Sequence, residues 1–78
     1  MFIKTADKRL INAEMVTYFE VTPYLNTDGA LLFAHFQKGS VQLYSGTQAA
    51  VDKVFFDLTD ALVSGRISVF DFTRQRGI

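Results

Sequence analysis

The sequence has no cysteine and no tryptophan, and one histidine and one proline among 78 residues. Without cysteine there is neither a disulfide nor a thiolate metal site. His35 cannot build a metal centre alone, because such centres take three or four protein ligands. The phosphate-cradling glycine loop and the dinucleotide fingerprint are missing too, so no cofactor is expected. An excess of charge of one sign is also lacking. Eight Lys and Arg balance eight Asp and Glu, which argues against strong non-specific attraction to nucleic acid or an anionic membrane. No apolar run approaches the roughly 18–20 residues of a membrane-spanning helix. The opening Met1-Phe2-Ile3-Lys4 has no secretory pattern, so a cytoplasmic protein is expected.

What is present is apolar side chain. Hydrophobic residues make up 49% and aromatics 14% of the chain, with eight Phe. That composition excludes intrinsic disorder. The length fits one domain, near the lower limit for a self-sufficient core, since so short a chain buries only about 60–65% of its unfolded surface. Small domains usually add a disulfide, a metal or a partner. With the first two gone, a partner subunit or very good packing must supply the rest.

Strand signals dominate the first half. Phe2–Thr5 and Arg9–Ile11 form a small hairpin around Ala6-Asp7-Lys8, and Asn12-Ala13-Glu14 breaks it. Met15–Val21 is rich in β-branched and aromatic residues, and Pro23 marks its end or an edge. Asn26, Asp28 and Gly29 are turn residues in the longest loop. Ala30–Gln37 and Ser40–Tyr44 make a second hairpin around Lys38-Gly39.

A helix then spans about 47–64. Ser45 or Thr47 can cap it, Thr47 being preferred, and Gly65 closes it. Val51, Val54, Phe55, Leu58 and Leu62 fall on one stripe. Arg66–Phe72 is a second strand-like run, and 73–78 form a polar tail expected to fray. The fold class is α+β: a four- or five-stranded, mainly antiparallel β-meander with this helix on one face, in one domain over 1–72.

Alternation across the strands leaves too much apolar surface for one helix. With Lys38-Gly39 as the turn, Phe36 pairs with Val41 and Ala34 with Leu43, a core face. The opposite face carries Leu31, Phe33, His35, Gln42 and Tyr44, which is not the polar face of a one-sided sheet. Val16 and Tyr18 extend it. Phe56 and Val63 lie off the helix stripe, and Phe70 and Phe72 follow the helix. These nine residues, Val16, Tyr18, Leu31, Phe33, Tyr44, Phe56, Val63, Phe70 and Phe72, are the candidate interface. The run Ile67, Val69, Phe70, Phe72 could cover the surplus as a strand in the same chain or by swapping into a second copy. Two copies could instead stack their sheets, or the first hairpin could curl over the core.

Chemistry-bearing patterns are weak. His35 has no nucleophile or orienting carboxylate at a telling spacing and reads as a structural or interface histidine. Asn26-Thr27-Asp28-Gly29 lacks the later ligands of a calcium loop. Asp52, Asp57 and Asp60 lie on a solvated helix face, where Lys53 can pair with Asp57. Arg66, Arg74 and Arg76 make the C-terminal end basic beside Phe70 and Phe72, a combination that can stack and pair with single-stranded nucleic acid.

Phe2-Ile3-Lys4-Thr5, Arg9-Leu10-Ile11-Asn12, Val16–Val21 and Leu43-Tyr44-Ser45-Gly46-Thr47 form a layout that resembles small bacterial and phage proteins built as a β-meander plus one helix. The resemblance implies that fold and attaches no activity or site residue. The expected function is therefore a non-enzymatic protein–protein interaction module, most simply a homodimer. A nucleic-acid-binding accessory protein and a small-ligand binder with an apolar cleft are the alternatives.

Overall fold

The computed structural model describes residues 1–24, 27–66 and 68–74. The expected turn residue Asn26, together with Ile67, Arg76 and the rest of the tail beyond Arg74, lies outside the described residues. The described elements are β1 (Phe2–Lys4), β2 (Leu10–Asn12), β3 (Tyr18–Pro23), β4 (Gly29–Phe36), β5 (Gly39–Thr47), α1 (Gln48–Ser64) and β6 (Val69–Asp71). Short 3₁₀ turns occupy Ala13–Met15 and Phe72–Arg74.

The class is α+β, but the strands do not form one meander. They divide into two three-stranded sheets, ordered β2-β1-β6 and β3-β4-β5. The division falls at the 3₁₀ turn. Asn12 caps it by accepting the Glu14 N–H at 3.0 Å, and the Val16 N–H donates to the Ala13 carbonyl at 3.2 Å. These local bonds satisfy backbone groups that would otherwise continue a ladder. β1 and β2 pair antiparallel, while β6 returns in the same chain to lie parallel beside β1, Ile3 opposite Phe70. The C-terminal run thus closes within the chain. The β3-β4-β5 sheet alone is an antiparallel meander.

Its hairpin register also differs from the expected one. Phe36 pairs with Gly39, so Gln37 and Lys38 make the turn, and Ala34 pairs with Val41. A bulge then shifts the register: Phe33 pairs with Gln42 but Leu32 with Tyr44. The extra residue, Leu43, breaks strict alternation, and Leu43 and Tyr44 are both buried. The Leu43 carbonyl accepts the Ala6 N–H at 3.1 Å, tying the first hairpin to the bulged strand.

The helix matches its sequence signals closely. Thr47 is the N-cap, its hydroxyl oxygen accepting the Ala50 N–H at 3.1 Å. Gly65 ends it in the left-handed conformation, φ 65°, which glycine adopts without a Cβ penalty. Ala50, Val51, Val54, Leu58 and Ala61 are buried. Phe55 is half-buried and Leu62 exposed, so the buried stripe is centred nearer the alanines than the large residues alone indicate. The helix packs on the inner face of β3-β4-β5, where Ala30, Leu32 and Ala34 are fully buried. Ile3, Phe70 and Phe72 complete the same core from the smaller sheet and the turn after it.

Candidate interaction surface

The face of β3-β4-β5 turned away from the helix is built by alternation. Leu32, Ala34 and Leu43 point into the core, so Leu31, Phe33 and His35 of β4 point out. Ladder pairing sets their neighbours in rows: Tyr18–His35–Ser40, Glu20–Phe33–Gln42 and Thr22–Leu31–Ser45. A mainly apolar column along the central strand is flanked by mainly polar columns on both edges.

Contacts within this face are specific. The Tyr18 and His35 rings stack at a centroid distance of 4.4 Å and 14° between planes. Phe33 lies 6.0 Å from His35, tilted by 40°. His35 Nε2 is 2.7 Å from Glu20 Oε1. The imidazole side chain keeps 22% of its exposure and the Glu20 side chain 50%. Tyr18 is 54% exposed, while Leu31 and Phe33 are half-buried by their neighbours. Glu20 as a partner of His35 was not evident from sequence, because the two meet only through the β3–β4 register. Ser40 sits across from His35 on β5, but no hydrogen bond joins it to the imidazole. The hydrogen-bonded series therefore ends at the Glu20–His35 pair.

The nine expected interface residues divide four ways. Tyr18, Leu31 and Phe33 share the outer face. Tyr44, Phe70 and Phe72 do not belong to any surface: they are 6%, 6% and 1% exposed. The bulge turns Tyr44 inward. The β1–β6 pairing carries Phe70 into the core, and Phe72 follows, 5.0 Å from Phe70 and 5.9 Å from Tyr44 between ring centres. Val16 precedes β3, so strand alternation does not reach it, and it packs half-buried against the core. Phe56 and Val63 are strongly exposed on the helix. They stand seven residues apart, about 10 Å along the axis, with the exposed Thr59 and Asp60 between them. The smaller sheet has an exposed group that sequence reading missed, Phe2, Leu10 and Val69. Phe2 pairs laterally with Val69, while Lys4, Asn12 and Asp71 interrupt the group.

Of the basic residues, Arg66 and Arg74 are exposed, and Arg74 lies 3.6 Å from Asp71. Burial of Phe70 and Phe72 removes the aromatic platform expected beside them. Three open clefts, of about 410, 360 and 400 Å³, lie at the Asp7–Arg9 turn, between Met1 and the helix end, and beside Met15 and the β4–β5 turn. None of these three takes in His35. Among the described residues there is no group of three or more metal-ligating side chains and no buried side-chain polar atom without a partner. No described helix is long and apolar enough to cross a membrane.

Two carboxylates, the exposed Asp7 and the half-buried Asp71, are held below their ordinary pKa. For Asp7 the first cause is the Thr5 hydroxyl, then the Arg9 side chain, whose Nε donates at 3.0 Å. For Asp71 the first cause is the Thr73 hydroxyl. Both carboxylates staple turns.

Comparison with known proteins gives no match: no family model fits the chain, and no curated protein or solved structure is significantly similar to it.

Proposed function

We propose that this protein is a non-enzymatic interaction module that self-associates as a homodimer through the outer face of β3-β4-β5. The observation that carries this reading is the apolar column Leu31–Phe33–His35, with Tyr18 stacked at its end, on the sheet face that the helix leaves uncovered. An apolar centre inside a polar rim is the anatomy of a protein interface. Phe56 and Val63 supply separated side chains rather than a continuous patch, so the sheet face is the stronger candidate.

Its size sets the strength. Three strands about 4.8 Å apart, six, eight and nine residues long at about 3.4 Å each, present roughly 350 Å² in plan. Two copies then bury on the order of 700–1,000 Å² in total, below the roughly 1,200–2,000 Å² of stable specific interfaces. The dimer is therefore expected to be weak and transient. Sedimentation over a concentration series from micromolar to millimolar tests it. A monomer–dimer equilibrium is expected, and a monomer at every concentration sinks the proposal.

A further inference from the structure

Taking self-association through this face as its premise, we infer that the two copies stack face to face about a twofold axis running parallel to β4 and centred on Phe33. In aligned packing two stacked sheets keep their strands within about 30° of each other, and the central row Glu20–Phe33–Gln42 then stays opposite itself in either twofold arrangement. An axis running across the strands sets β3 over the partner's β3. Each Glu20 then faces another Glu20, two carboxylates brought together as water leaves, which is destabilising. An axis along β4 sets β3 over the partner's β5. Each Glu20 then faces a Gln42 amide, whose NH₂ donates to the carboxylate, and the dimer makes that contact twice. In the flanking rows Tyr18 and Thr22 face Ser40 and Ser45, again polar edge against polar edge, while Leu31, Phe33 and His35 meet their own copies along the axis. The face is thus self-complementary in one orientation and self-repelling in the other. A second copy also brings no net charge, so no long-range repulsion opposes the encounter.

The absence of cysteine makes cross-linking unambiguous. Thr22→Cys, Ser45→Cys and Tyr18→Cys, which leave Glu20 and Gln42 in place, are each prepared alone, then mixed in pairs and treated with a short bis-maleimide. Thr22→Cys with Ser45→Cys is expected to give a covalent dimer joining one of each, and Thr22→Cys with Tyr18→Cys very little. Efficient cross-linking of Thr22→Cys to Tyr18→Cys would overturn the orientation. A second pair of variants changes only the exposed position 42: Gln42→Lys tightens the dimer and Gln42→Glu weakens it, each about tenfold for two symmetric charge contacts. Equal effects of both substitutions would also contradict it. If the unmodified protein dimerises and these variants do not discriminate, the orientation fails alone; if it stays monomeric, the premise fails with it.

Discussion

Phe72 and Phe56 are the same side chain in opposite circumstances. Phe72 is 1% exposed and packs against Tyr44 and Phe70; Phe56 is 70% exposed. Truncating a buried Phe costs about 3–5 kcal/mol. A domain of this length has roughly 4–12 kcal/mol of stability in all. Phe72→Ala is therefore expected to remove a quarter or more of that stability and to lower the urea midpoint accordingly, whereas Phe56→Ala stays within about 0.5 kcal/mol of the parent. Urea unfolding followed by circular dichroism checks both. A Phe56→Ala variant as unstable as Phe72→Ala would mean that the core has been misassigned. Sequence could not separate the two residues. Phe56 is visibly off the helix stripe, but burial of Phe72 follows from the β1–β6 pairing, a contact between the two ends of the chain that no local pattern encodes.

Elements were legible where the signal is local. Thr47 and Gly65 bound the helix because capping needs only residues within a turn of it. The β5 bulge was not legible, because a bulge is an extra residue fitted against a partner strand, and alternation assumes its absence. That one residue moves Tyr44 from the outer face to the core. The division into two sheets was missed for a related reason: Asn12-Ala13-Glu14 is visibly a breaker, but whether the chain resumes in the same sheet depends on what packs beside it.

The β1–β2 turn carries a pH prediction at this scale. Thr5 is fully buried; its hydroxyl donates to Asp7 and accepts the Arg9 N–H at 2.9 Å. Because the Asp7 pKa is lower folded than unfolded, its contribution is present above the unfolded value. That contribution is lost as the pH falls through the lower folded value, below roughly pH 4. An NMR titration should show the Asp7 carboxyl ionising below the ordinary aspartate range, and the Arg9 N–H resonance should shift with it. Titration of Asp7 at the ordinary value would remove the staple.

For the whole molecule, the surplus of apolar side chain seen in the sequence has two destinations. Part of it closes within the chain, through the second sheet and the bulge. The rest stays at the surface, as Phe2, Leu10 and Val69 on the smaller sheet, as Phe56 and Val63 on the helix, and as the outer face of β3-β4-β5, where Tyr18, Leu31, Phe33 and His35 stand together. Leu31, Phe33 and His35 share that face legibly, since an odd-numbered run on one uninterrupted strand does so. Tyr18 stands on β3, and its place beside His35, like the tie of His35 to Glu20, follows only from the β3–β4 register.

The claim that this face is where the protein meets a second copy is tested most directly by dilution. Amide and aromatic NMR resonances are followed from millimolar to low micromolar concentration. Concentration-dependent shifts are predicted at Tyr18, Glu20, Leu31, Phe33, His35 and Gln42, with the helix resonances unmoved. Shifts confined to Phe56 and Val63, or no shift over that range, would contradict it.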